Sequence, residues 1–86
     1  MDKKDLLFYF LSSSKSMGKR IKVTGGEHGV VKGTVSEVVR ENEKLTVVVN
    51  DVTYVIDLSD ALVRTGAFDN RTLFVDGEDS LKFQLC

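Results

Sequence analysis

The chain has 86 residues, of which 42% are hydrophobic and 29% are charged, a balance that is typical of a soluble globular domain and excludes a disordered segment. The formal net charge of −1 gives the whole chain no attraction to phosphate backbones, so any affinity for nucleic acid has to come from a local patch. The only cysteine, Cys86, excludes an internal disulfide and favours a reducing, cytoplasmic location. We expect one domain over residues 1–86.

Residues 2–12 predict an amphipathic helix. Asp2 and Asp5 lie at the end where the helix dipole favours negative charge. The apolar side chains that follow share one face at helical spacing, with Tyr9 at its rim: Leu6, Leu7, Phe10 and Leu11. The apolar run 6–11 is too short to span a bilayer or to form a signal-peptide core. We therefore expect this face to cover an open end of the domain, and the serine-rich residues 12–16 to form a polar connector.

Short β-branched runs closed by glycine, asparagine or aspartate predict consecutive antiparallel strands: Ile21–Val23, 30–40, Leu45–Val49 and Thr53–Asp57. Gly33 falls inside the second run, which predicts a bend, a bulge or a close approach of another backbone segment. Asn42–Lys44 and Asn50–Asp51 predict the turns on either side of the third strand. Ser59 or Asp60 predicts an N-cap for a short helical or bent element over 61–63.

The tail predicts a β-hairpin over 71–85, with its turn at Asp76–Asp79. The expected fold is therefore mainly β, with an N-terminal helix, a five-strand barrel over 19–66 and a C-terminal hairpin. Proline is absent, and no linker or repeat divides the chain.

Nothing in the sequence indicates an enzyme, a cofactor or a metal site. His28 is the only histidine and lies in a glycine-rich turn, which provides neither a pocket nor an orienting partner for general-base chemistry. Zinc coordination needs further histidines or cysteines. The glycines around His28 precede a strand, whereas phosphate-binding loops precede a helix. Asp57 and Asp60 have the spacing of many carboxylate pairs but are explained by the cap after the fourth strand.

Two stretches carry the resemblance of this chain to a known family. They are Ile21-Lys22-Val23 with Gly29 and Gly33-Thr34-Val35, and Leu45-Thr46-Val47-Val48-Val49-Asn50-Asp51. With the N-terminal helix, they resemble the Sm and Sm-like small β-barrels over residues 3–66. A shorter match, through Gly25 or Gly26 and the same strand ends, is similar to the KOW element of SH3-like barrels. Both resemblances imply a binding module of RNA metabolism or transcription.

The chain departs from the Sm pattern at the RNA pocket. Thr46 stands where the family has asparagine, Asn42 where it has an acid, and Arg64-Thr65 where it has arginine and glycine. Leu45 offers no aromatic plane for stacking a base. The resemblance therefore implies the Sm fold more directly than uridine binding.

We expect a regulatory binding module that contacts RNA or RNA-associated transcription or translation machinery. A basic cluster at the first strand and two residues of the Sm pattern provide the expected RNA-binding residues: Lys19, Arg20, Lys22, Thr46 and Arg64. The acidic stretches 41–43 and 76–79 would repel nucleic acid from their own faces. The alternative is a protein-binding adaptor or inhibitor that docks on a larger enzyme or a transcription factor without contacting nucleic acid; near-zero net charge favours it.

Strand edges predict the assembly state. The runs 45–49 and 53–57 are expected to present free backbone groups, as Sm-like rings pair such edges between subunits. The hairpin 71–85 is large enough to occupy an edge within the same chain. We therefore expect a monomer or a dimer rather than a ring of six or seven.

Overall fold

The computed structural model of the protein describes residues 2–66, 72–77 and 80–86. Within them lie one helix and seven strands: α1 Lys3–Ser16, β1 Arg20–Gly25, β2 Val30–Glu41, β3 Lys44–Val49, β4 Val52–Asp57, β5 Leu62–Thr65, β6 Thr72–Asp76 and β7 Ser80–Leu85. The strands form one antiparallel sheet in the order β4-β3-β2-β1-β7-β6-β5. The predicted class, mainly β with an N-terminal helix, is confirmed.

The sheet is not closed into the predicted barrel. In a closed five-strand meander the last strand would return to the first, but here β7 lies beside β1, with Phe83 opposite Val23. The predicted hairpin is present as β6 and β7, although Arg71, Glu78 and Asp79 lie outside the described residues. Because the hairpin lies between β1 and β5, β5 is displaced to one edge of the sheet and β4 forms the other edge.

Strand β2 belongs to both halves of the sheet. Its first part pairs with β1 and its second part with β3, and the register shifts between Val35 and Glu37. This bulge lets the strand bend sharply enough for the two halves to face each other. Gly33 serves a different purpose: a Cβ atom there would lie 2.9 Å from Cβ of Asn50, so glycine permits the close approach of the β3–β4 turn.

The two predicted tight turns are confirmed and share one backbone geometry. Asn42 and Glu43 join β2 to β3, and Asn50 and Asp51 join β3 to β4; all four have positive φ. Positive φ at both central residues is the geometry whose twist matches that of the flanking strands. These turns fix the register of β2, β3 and β4 and therefore decide which side chains face the core.

The two halves enclose one core. Tyr54 of β4 meets the fully buried Phe83 of β7 edge-on, with ring centroids 6.3 Å apart, and its other side meets the ring of His28 at 6.0 Å. Burial raises the pKa of the Tyr54 hydroxyl, and this hydroxyl has no hydrogen-bond partner among the described residues. Each fully buried side chain of this kind stabilises the fold by about 1.5 to 3 kcal/mol, so the core couples the stability of the two halves.

Helix α1 packs against β2 and β5 and buries Leu7 and Leu11 completely, as its apolar face predicted. Asp2 caps its N-terminus by accepting from the Lys4 amide at 2.8 Å. An ion pair joins the helix to β2, with Arg40 Nη1 2.6 Å from Asp5 Oδ1. No helix in the described part of the chain is long and apolar enough to cross a bilayer.

The helix continues through the residues expected to form a polar connector. Ser14 is buried and its hydroxyl donates to the Phe10 carbonyl at 2.8 Å, which satisfies the polar group inside the helix. The helix ends where Gly18, with φ of +64°, permits two capping bonds, Gly18 N to Lys15 O and Lys19 N to Ser14 O. This cap directs the chain into β1.

The residues after β4 form a strand rather than the predicted short helical or bent element. The amides of Asp60 and Ala61 donate to the Asp57 carbonyl, and this turn leads into β5, where Val63 pairs with Val75 of β6. These residues form a strand because the C-terminal hairpin supplies a neighbouring strand, β6, with which they pair.

Replacing Gly33 with alanine should destabilise the protein by about 1 to 2 kcal/mol, because the new Cβ atom overlaps a turn that cannot move away freely. Urea unfolding of Gly33→Ala measures the loss. The control is Thr34→Ala, which truncates an exposed side chain one residue further along the strand and should cost under about 0.5 kcal/mol. Equal stabilities for the two variants would contradict the close approach.

Candidate nucleic-acid interface

Side chains on β5, β6, β7, β1 and the first part of β2 alternate between the core and the outer surface. The cross-strand register places the outward cations of these strands on one side of the sheet. We call this surface the basic face; it consists of Arg20, Lys22, Lys32, Arg64, Phe74 and Lys82. Among the described residues of these strands, Asp76 carries the only carboxylate. The described residues of these strands therefore form a surface with an excess of positive charge, although the net charge of the whole chain is −1.

Phe74 is the aromatic residue of the basic face. Its neighbours Leu73 and Val75 are buried in the core, so the alternation of the strand directs Phe74 away from the core. Its direct cross-strand neighbours are Arg64 on β5 and Lys82 on β7. Their cationic groups lie 5.3 Å and 5.8 Å from the centroid of its ring, within the range of cation–π attraction. The half-buried ring is thus held between two positive charges.

Asp76 orients one of these cations. Its Oδ2 atom lies 2.7 Å from Nε of Arg64, and Asp76 and Arg64 lie on adjacent strands. An exposed ion pair of this kind contributes little to stability, but it restricts the guanidinium to a position over the Phe74 ring. Within the described residues, Nε is the guanidinium atom of Arg64 that forms an ion pair or hydrogen bond with a side chain.

Lysines continue the basic face toward β2. Lys22 of β1 lies directly opposite Lys32 of β2, and on its other side opposite Gln84 of β7. Like charges directly opposite each other on adjacent strands are unfavourable. An anion bound between Lys22 and Lys32 would relieve that repulsion. The two lysines therefore provide an electrostatically favourable position for a phosphate.

The structure brings together some of the residues predicted for RNA binding and separates others. Arg20, Lys22 and Arg64 lie on the basic face. Lys19 lies just before β1, in a shallow depression of about 310 Å³ beside Arg20, Leu85 and Cys86. Thr46 lies on the other half of the sheet, opposite Val39 of β2 and Val55 of β4, and is therefore not part of the basic face.

Sequence interpretation misses Phe74, Lys32 and Lys82. The sequence feature that could identify these residues as outward-facing is the alternation within the strands. Each of them lies between two buried neighbours or between a buried residue and a glycine. Alternation alone does not show which strands are adjacent. Phe74 and Lys22 are joined only because β7 pairs with both β6 and β1.

The outer surface of the other half has a different character. We call it the valine face; across β2, β3 and β4 it carries Val39, Thr46, Val48, Thr53 and Val55. Val39 is 41% exposed and Val55 is 63% exposed. The charged residues around it include Glu37 and Glu41, so it offers no continuous positive surface for a nucleic acid.

The remaining polar candidates have structural explanations. Asp57 accepts from Ser59 at both the backbone amide (3.0 Å) and the hydroxyl (2.6 Å), so Asp57, rather than Ser59 or Asp60, caps the turn after β4. These two hydrogen bonds lower the pKa of the Asp57 carboxyl below its ordinary value. His28 lies at a turn with Glu27 3.6 Å away. The described residues contain no group of three or more side chains suited to a metal ion.

A concavity lies between β4 and the β6–β7 hairpin, where the sheet does not close. It has a volume of about 570 Å³, and its lining includes Val55, Asp57, Asp60, Val75 and Leu81. It lies away from Phe74 and has no aromatic side chain among its lining residues. We therefore place the candidate interface on the basic face.

No family model, curated protein or solved structure matched the chain when it was compared with each of them. The N-terminal helix followed by antiparallel strands is consistent with the Sm-like resemblance.

The lowered pKa of Asp57 has a consequence for stability. A carboxyl whose pKa is depressed by folding contributes stability above its unfolded pKa, and that contribution is lost as the pH falls through the folded pKa. The Asp57→Asn variant should therefore be less stable than the parent at pH 7, and the difference should shrink below the ordinary value of 3.8. Urea unfolding at pH 7, 5 and 3 measures this. Asp60→Asn is the control, and a difference for Asp57→Asn that does not change with pH would contradict the mechanism.

Proposed function

We propose that this protein is a non-enzymatic module that binds single-stranded RNA across the basic face. The observation that carries the proposal is Phe74, held between Arg64 and Lys82 on the outward side of the sheet. Proteins that bind single strands combine cations along the backbone path with an aromatic plane on which a base stacks. The basic face provides both of these elements. This position of the aromatic residue differs from the pocket implied by the Sm resemblance, which lies near Thr46.

The residues of the basic face would contact different parts of the RNA. One base would stack on the Phe74 ring by displacing the Lys82 ammonium from it, because the ring is the only aromatic plane among the outward residues described on these strands. Lys22 and Lys32 would bind a phosphate one or two nucleotides away, where their mutual repulsion is relieved. Arg64 would lie beside the stacked base and could donate to its edge. Arg20 lies at the start of β1 and would contact only the sugar-phosphate backbone of the RNA.

Removing the aromatic plane should weaken binding. Stacking of a base contributes about 1 to 3 kcal/mol, so Phe74→Leu should reduce the affinity for a labelled twelve-nucleotide single-stranded RNA by roughly 5- to 150-fold. Fluorescence anisotropy at 50 mM salt measures it. Phe74→Tyr should retain affinity, and the control Tyr9→Leu removes an exposed aromatic residue of α1. An unchanged affinity for Phe74→Leu would exclude stacking on this face.

The charges should make the affinity depend on salt. With about three to five phosphates neutralised, affinity for a single strand should fall roughly 20- to 100-fold between 50 and 200 mM salt. Arg20→Ala should weaken all RNA sequences alike, whereas Arg64→Ala should also change the preference among sequences. Lys3→Ala removes the same charge from α1 and serves as the control. An affinity unaffected by salt, or the absence of binding at 50 mM, would overturn the proposal.

The alternative is a protein that docks on a larger enzyme or a transcription factor, and the exposed valine face is the observation that favours it. Purification of the protein from lysate with and without nuclease separates the two functions. RNA that copurifies and is lost after nuclease treatment would support the basic face. A stoichiometric protein partner that survives nuclease, together with no RNA binding at 50 mM salt, would favour the alternative.

A further inference from the structure

The outer edge of β4 has backbone groups available for pairing. Val49 and Val52 flank the two-residue turn and form the first pair of the β3–β4 ladder. Because hydrogen bonding alternates along an antiparallel pair, the backbone groups of Thr53, Val55 and Asp57 point away from β3. The Asp57 carbonyl accepts from the following turn. The other outward groups of these three residues have no backbone partner within the described part of the chain.

Within the described part of the chain, this edge lacks the usual protection against pairing. Edge strands are commonly kept apart by lysine, proline, a bulge or short length. Strand β4 has six residues, contains neither lysine nor proline, and pairs with β3 without a register shift. Its central outward side chain, Val55, is 63% exposed. The opposite edge, β5, has only four residues and carries Arg64.

We propose that β4 is the interface of a symmetric dimer, in which it pairs antiparallel with β4 of a second copy about a two-fold axis at Val55. In this register the two Val55 residues face each other, and Thr53 of each copy faces Asp57 of the other. Each Val55 amide donates to the opposite Val55 carbonyl, and each Asp57 amide donates to the opposite Thr53 carbonyl. Four backbone hydrogen bonds then join the two sheets into one.

The charged side chains along the edge strands favour a second copy of the chain as the partner of β4 and favour this register. Asp57 lies opposite a threonine hydroxyl, which can donate to its carboxylate, and it keeps its own neighbour Lys44 on β3. A two-fold axis at Asp57 would instead oppose two carboxylates, and pairing of β5 with itself about an axis at Arg64 would oppose two guanidinium groups. Like charges directly opposite each other are unfavourable. The Val55 register pairs β4 with itself from Thr53 to Asp57 without such repulsion.

The dimer also covers the most exposed apolar part of the valine face. Across the axis, the row Val39, Thr46 and Val55 of one copy continues into the same row of the other copy in reverse order. The two Val55 side chains then shield each other from water, which stabilises the pair. The basic face lies on the other half of the sheet and remains free for RNA.

Sedimentation equilibrium from 1 µM to 1 mM tests the proposal, together with amide exchange of the same samples. The expected mass approaches twice 9.6 kDa with rising concentration, and exchange at the Val55 amide slows in parallel. Val55→Lys should weaken the association at least tenfold. Leu62→Lys is the matched control, because Leu62 lies on the opposite edge and is 61% exposed; it should leave the association unchanged.

Other outcomes overturn the proposal. A monomer at all concentrations would contradict the proposed dimer. A mass of six or seven subunits, or association disrupted by Leu62→Lys, would indicate pairing of β4 with β5 between neighbouring copies. Association that persists unchanged in Val55→Lys, in a sample with parental circular dichroism, would place the interface elsewhere. RNA binding does not enter any of these measurements, so the dimer and the proposed function are tested separately.

Discussion

The pairing of β7 with β1 is the interaction on which the rest of this structure depends. It joins residues that are about sixty positions apart in the chain, from Ile21 opposite Leu85 to Gly25 opposite Leu81. With β7 in that place, β5 cannot return to β1, so the sheet stays open and has β4 and β5 as its edges. The same pairing places Phe74 and Lys82 next to the lysines of β1 and β2. An open edge and a basic face thus have one structural cause.

Strand β2 joins the two halves of the sheet without making them alike. Its first part belongs to the half that carries the basic face, and its second part, beyond the bulge at Val35 and Glu37, belongs to the half that carries the valine face. Both halves contribute side chains to one core, where Tyr54 contacts Phe83. The fold therefore offers two outer surfaces of different chemistry on a single small core.

Charge segregation explains how a nearly neutral chain can present a positive surface. The acids Glu37, Glu41 and Asp57 lie on the half away from Phe74, whereas the cations of β1, β5 and β7 meet on the other half. The opposition of Lys22 and Lys32 reduces stability slightly, by a fraction of a kcal/mol on the usual scale of cross-strand pairs. The proposed RNA binding would offset this cost, because a phosphate between the two lysines would relieve their repulsion.

Local patterns in the sequence determined the elements themselves. The spacing of Leu7 and Leu11 predicted the buried face of the helix, the β-branched runs predicted β1 to β4, and Asn50 with Asp51 predicted a tight turn. These predictions succeed because helix faces, strand alternation and turn geometry depend on residues that are close in the chain. The helix beyond residue 12 was missed because a buried hydrogen bond from Ser14 offsets the poor helix propensity of serine.

Only the tertiary structure decided how the elements are arranged. The sequence predicted the hairpin but not that β7 would pair with β1, and for this reason it predicted a barrel where the sheet is open. For the same reason the sequence does not predict the cluster of Phe74 and Lys82 with Arg64. These residues become neighbours only because β5, β6 and β7 pair side by side. Alternation tells which side of a strand a residue occupies, but cross-strand neighbours depend on which strands pair and in what register. Those choices follow from the packing of the whole core, which no local stretch of the chain contains.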